Sequence, residues 1–100
     1  MAKTKDDLEK ERDTQLSEMD HSYQRRQNDL ENEKNRIKKL AEEKQTKGED
    51  CTAEIERYKE LNCQQEKEFD DYKNNCEQIY NYYDNEIRAV EKEEEEEYEY

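Results

Sequence analysis

Leu16, Tyr23, Leu30, Ile37, Lys44, Cys51, Tyr58, Gln65, Tyr72 and Ile79 stand seven residues apart through the middle of the chain. Eight of these ten positions are apolar or aromatic, in a sequence that is 28% hydrophobic and 49% charged. A period of seven keeps one side of an α-helix turned toward a partner helix, because about 3.6 residues per turn drifts only slowly against 3.5. The pattern predicts an all-α protein built as an extended coiled coil.

Composition alone points elsewhere. Leu, Ile, Val and Phe number 11 among 100 residues and the net charge is −13, a balance that favours disorder and cannot enclose an ordinary globular core. Periodicity outweighs it. There is no proline and one glycine, and Glu, Lys, Gln and Arg fill the outward positions, so propensity and pattern agree on helix.

Two long helices, about 4–45 and 51–92, follow from the caps and the phase. Thr4-Lys5-Asp6-Asp7 has the spacing of a capping box, and Asp6, Asp7 and Glu9 place negative charge at the positive end of the helix dipole. With Leu16 at position a, Tyr23, Leu30 and Ile37 also fall at a, and Met19, Arg26, Glu33 and Leu40 at d. Near residue 48 the phase changes. Beyond it Ile55, Asn62, Phe69, Cys76, Tyr83 and Val90 fall at a, with Tyr58, Gln65, Tyr72, Ile79 and Glu86 at d. Either 46–50 is a turn, with Gly48 left-handed and Asp50 capping the second helix, or one continuous helix passes a stutter.

A register test favours the turn. In an antiparallel hairpin folded between Lys47 and Gly48, Leu16 meets Ile79, Met19 meets Cys76, Tyr23 meets Tyr72, Ile37 meets Tyr58 and Leu40 meets Ile55. Arg26 then faces Phe69, and Glu33 faces Asn62. A parallel homodimer of continuous helices would set Arg26, Glu33 and Glu86 each against its own copy, at a cost in a partly desolvated seam. Flanking charges favour that dimer instead, because the hairpin brings Asp29 toward Glu68, Glu43 toward Glu54 and Lys34 toward Lys59. Exposed pairs contribute only a few tenths of a kcal/mol each, so the seam layers weigh more. The hairpin around Gly48 is the preferred reading and the parallel dimer the alternative. Residues 1–92 form a single coiled-coil region in either case.

From Cys76 to Val90 the apolar face widens. Ile79, Tyr80, Tyr82, Tyr83, Ile87 and Val90 span more of the helix than a two-stranded seam covers. This face is the candidate docking surface for a further helix, from a second copy or a different subunit, at an end where the register sets Leu8 near Ile87 and closure looks weak.

Beyond Lys92 five consecutive glutamates oppose the helix dipole, so 93–100 is expected to fray into a flexible acidic tail. From Glu93 to Tyr100 this tail resembles the acidic tails of α-tubulin, which end in Glu-Glu-Tyr and are read by cytoskeletal adaptor domains. Tyr98 stands where those tails carry glutamate. The resemblance makes Glu97, Tyr98, Glu99 and Tyr100 candidate contacts for such a domain.

Other chemistry finds little support. Residues 51–100 carry 6 basic and 17 acidic side chains, and isolated pairs such as Arg25-Arg26 make no phosphate-binding face, so no nucleic-acid partner is expected. No apolar run approaches the roughly 20 residues of a membrane span, and the N-terminus has no apolar leader. Cys51, Cys63 and Cys76 suit neither a disulfide framework nor a zinc site. Glu18-Met19-Asp20-His21 has a di-iron-like spacing, but Glu18 and His21 fall at outward positions. One glycine and one histidine supply no phosphate loop, calcium loop or activated nucleophile. The expectation is a non-catalytic, cofactor-free, cytoplasmic structural protein, cytoskeleton-associated if the tail resemblance holds. It would act as a scaffold, spacer or small subunit and bind other helical chains rather than a small-molecule substrate. The alternative is an acidic factor whose tail engages basic proteins.

Overall fold

The computed structural model describes residues 3–98, with side chains through Glu96. Thr4 Oγ1 accepts the Asp7 N–H at 3.2 Å while the Thr4 N–H donates to Asp7 Oδ2 at 3.3 Å. This reciprocal cap satisfies two amides at the start of a helix, where the first N–H groups have no intrahelical partner. Helix α1, Lys5–Thr46, follows from it. At its end Gly48 adopts φ 75°, its N–H donates to the Gln45 carbonyl at 3.1 Å, and the Glu49 N–H donates to the Lys44 carbonyl at 2.8 Å. Those paired bonds close a helix through one left-handed residue. A Cβ at Gly48 would meet nothing within 4 Å, so backbone conformation alone selects glycine here. Asp50 Oδ1 then accepts the Thr52 N–H at 3.0 Å and its hydroxyl at 2.6 Å, and helix α2, Thr52–Tyr98, begins. The chain is a pair of long helices reversed at Gly48, not one continuous helix.

Helix α2 remains helical to Tyr98, past the fraying expected soon after Lys92. Glutamate is a good helix former, and each exposed like-charge pair opposes the helix by only a few tenths of a kcal/mol. Glu99 and Tyr100 lie outside the described residues, as do the side chains of Glu97 and Tyr98.

The coiled-coil region divides into two compact units, one of Met1–His21 with Tyr72–Tyr100, the other of Ser22–Asp71. Within each, α1 and α2 pack antiparallel. In the first unit Cys76 Sγ lies 3.8 Å from Met19 Sδ, the layer the register predicts. In the second unit the layers differ from the predicted frame. Gln27, Lys34 and Ala41 are half-buried whereas Arg26 and Leu40 are exposed; on α2, Glu54 and Glu68 turn inward where Ile55 and Phe69 had been placed. Leu61 is fully buried, while Ile55 is 46% and Phe69 51% exposed. One predicted column holds in each helix, Tyr23, Leu30 and Ile37 on α1 and Tyr58 and Gln65 on α2, while the other column gives way to its neighbour, so each helix is turned by roughly half a position from the predicted frame. Burying the Leu61 side chain is favourable by about 2 kcal/mol, whereas fully burying the Asn62 amide would require a partner for each polar atom.

The rotation also re-pairs the charges. Arg26 lies 3.8 Å from Glu68 rather than facing Phe69, and Arg57 Nη2 donates to Glu33 at 2.9 Å. Lys44 pairs with Glu54. Lys34, half-buried, donates to Gln65 Oε1 at 3.0 Å with its ammonium 5.1 Å from the centre of the Tyr58 ring. Glu68, Glu54 and Lys34, each expected to meet a like charge, thus have attractive partners. One carboxylate oxygen each of Glu54 and Glu68 is buried without a hydrogen-bond partner, which is the cost of placing these residues in the seam.

Two substitutions check this architecture by chemical denaturation. Gly48→Ala is expected to destabilise the protein by about 1–2 kcal/mol, the penalty for a left-handed alanine; in a continuous helix it would stabilise by about 1 kcal/mol. Leu61→Ala is expected to cost about 2 kcal/mol or more, and Leu40→Ala less than about 0.5 kcal/mol, although the unrotated frame would rank the two in the opposite order.

Candidate functional site

The face from Ile79 to Val90 lies in the first unit, and its residues divide there by helical phase. Tyr83 (3% exposed) and Ile87 (8%) form a buried cluster with Leu8 (4%), against which Ile79 and Val90 pack. Leu8 therefore sits near Ile87 as the register predicts, but this end is closed by its own N-terminal helix rather than weakly covered. Gln15 Nε2 donates to the Tyr83 hydroxyl at 2.6 Å, so the buried phenol is satisfied. Burial, and then the negative charge of Glu11, push the Tyr83 phenol above its ordinary range.

Tyr80 (48% exposed) and Tyr82 (58%) remain outside. Residues two apart on a helix do not share a face, so they flank the cluster on different sides rather than forming one aromatic patch. Tyr82 meets Tyr83 edge-on, with ring centroids 5.0 Å apart and planes at 88°. It borders an open cleft of ≈340 Å³ lined also by Gln15, Met19, Asn75, Gln78, Ile79 and Tyr83. Of the six candidate docking residues, the exposed surface is thus centred on Tyr82 and the edge of Ile79, with Tyr80 apart from it.

Beside the cleft, the Tyr72 hydroxyl donates to Asp20 Oδ1 at 3.1 Å. Burial and then that bond push its phenol up to about 12.

The second unit holds a groove that the sequence pattern did not single out. Ile37, Ala41, Cys51, Ile55 and Tyr58 line an opening of ≈310 Å³ rimmed by Lys38, Glu42, Gln45, Glu54 and Lys59. It exists because the rotation carries Ile55 out of the seam and leaves the small Ala41 beside it. A heptad frame alone carries no signal for it, since the frame places Ile55 inside.

Glu18 and His21 are both exposed, and among the described residues no three His, Cys, Asp or Glu side chains are placed to hold a metal ion. Cys63 is exposed, Cys51 and Cys76 are half-buried, and all three are free thiols. Among the described residues no helix is long and apolar enough to cross a membrane. No protein-family model, curated protein or solved structure matches the chain.

The Tyr72 phenol gives a direct check of the first unit. Its folded value lies above the ordinary 10.0, so the folded state favours the neutral form. That contribution is complete below pH 10 and is lost as pH rises toward 12. An ultraviolet titration of the tyrosines is expected to end on a component with midpoint near 12 that Tyr72→Phe removes. Persistence of this component in the variant would show that another phenol carries it.

Proposed function

We propose that this chain is a non-catalytic structural protein, a helical spacer, scaffold or small subunit that joins a larger protein assembly by docking against other helical chains. The observation that carries the reading is two long antiparallel helices with large apolar side chains left outside the seam: Leu40, Ile55, Phe69, Tyr80 and Tyr82 are 45–58% exposed. Tyrosine on a rigid helix is well suited to interfaces, where it buries large area at low entropic cost. The docking face for the assembly is centred on Tyr82. A cytoplasmic, cytoskeleton-associated setting fits the resemblance of the tail to those of α-tubulin.

A second reading is supported by Glu93, Glu94, Glu95 and Glu96, all exposed on the last turns of α2. There the chain is an acidic factor that binds basic proteins or adaptor domains through its tail. Salt separates the two, because exposed charges are screened within about 8–10 Å at physiological ionic strength. Capture of partners by the native protein should survive several hundred millimolar salt in the first case and collapse in the second.

Within the first reading, Tyr80→Ser with Tyr82→Ser is expected to weaken binding to the co-purified assembly about tenfold or more, a loss typical of interface tyrosines, with helicity by circular dichroism unchanged. Unaltered binding would remove this face from the interface.

A further inference from the structure

The outward groove of the second unit has a pattern along it. Ile55 lines the groove at 46% exposure, and Phe69, 51% exposed, stands two heptads further along the same face of α2. Asn62 lies midway between them. Lys59, on the groove rim, is followed one heptad later by exposed Glu66. On α1, rim residue Lys38 is preceded one heptad earlier by exposed Glu31. Residues seven apart share a helix face, so each column reads apolar, polar, apolar or carries one charge of each sign.

Turned end for end about Asn62, this face is complementary to itself. The reversal brings Phe69 over the Ile55 groove and sets Lys59 beside Glu66. We propose that a second copy of this chain docks here through a two-fold axis near Asn62, each Phe69 seating on the other copy's groove between Ile37, Ala41, Ile55 and Tyr58. A two-fold interface uses one patch twice and therefore requires this reversal symmetry, which a groove shaped for an unrelated chain has no reason to carry. Asn62 meets its own counterpart at the axis, where two amides can donate and accept reciprocally. A polar Asn in such a seam also fixes register.

Net charge favours the same location. Ser22–Asp71 carries eleven basic and fourteen acidic residues, net −3, whereas the rest of the chain carries seven and seventeen, net −10. Self-repulsion opposes pairing through the more acidic unit far more than through this one. The inference rests on the reading of the chain as an assembly component and adds a partner and a face that do not involve Tyr82.

Sedimentation equilibrium of the full chain tests it. The wild type is expected to approach twice its 12.4 kDa mass as concentration rises through the micromolar range. Ile55→Asp or Phe69→Asp should weaken association tenfold or more with helicity retained, because both side chains are half exposed in the single hairpin. Charge reversal is the sharper arm. Lys59→Glu and Glu66→Lys should each weaken the dimer, and the two together in one chain should restore it, since the exchanged charges meet across the axis and lie too far apart on one helix to pair. A monomer at all concentrations, or a dimer indifferent to both single reversals, overturns the proposal. If Tyr80→Ser with Tyr82→Ser leaves the larger assembly intact while Ile55→Asp abolishes the dimer, the Tyr82 face fails and this one stands.

Discussion

The left-handed residue at Gly48 is the constraint on which the pairing depends. A helix that reverses within a few residues leaves its last carbonyls without intrahelical partners, and a positive φ at one position lets the next amides turn back to them. Gly48 and Glu49 make those bonds, and Asp50 opens α2 immediately afterward. With so short a connection the helices have little freedom to slide, so the turn sets which layer of α1 meets which layer of α2.

The seam that results is sparse. Among the described residues five hydrophobic side chains are buried, and Leu61 is fully so. Between them stand Gln27, Lys34, Glu54, Gln65 and Glu68, polar residues that are half-buried. Most of these are held by specific bonds: Gln27 Nε2 to the Gln65 carbonyl at 3.2 Å, Gln65 Nε2 to Glu31 at 3.1 Å, Lys44 to Glu54. Such bonds stabilise little by themselves but penalise other registers, because a shift would leave half-buried polar groups unpartnered. The observed seam therefore exchanges apolar burial at Ile55 and Phe69 for a specific polar arrangement, leaving those two side chains about half exposed.

At the other unit the balance is reversed. Leu8, Tyr83 and Ile87 form a closed apolar cluster with Ile79 and Val90 against it, and the Tyr83 hydroxyl has its own donor in Gln15. A face that looks too broad for a two-stranded seam is narrowed because Leu8 covers part of it and the helix divides the rest. Exposed apolar side chains are thus found in both units, Ile55 and Phe69 in one and Tyr80 and Tyr82 in the other.

The helices, their caps, the glycine turn and the antiparallel pairing were legible in the sequence by itself, because each depends on local chemistry or on a period. Thr4 with Asp7, Gly48, Asp50 and the layer of Met19 with Cys76 all stand where the pattern puts them. Which side of each helix faces inward between Ser22 and Asp71 was decided by the tertiary structure. One column of each helix stays where the pattern puts it, and the second is settled by packing: Leu61 against Asn62, Glu54 against Ile55, and the charges those choices bring together. The same packing decided the candidate sites, turning Ile55 and Phe69 outward and closing Tyr83 and Ile87 beneath Leu8. A heptad frame assigns the seam before any side chain has a neighbour, and here the neighbours determined which residues were left exposed.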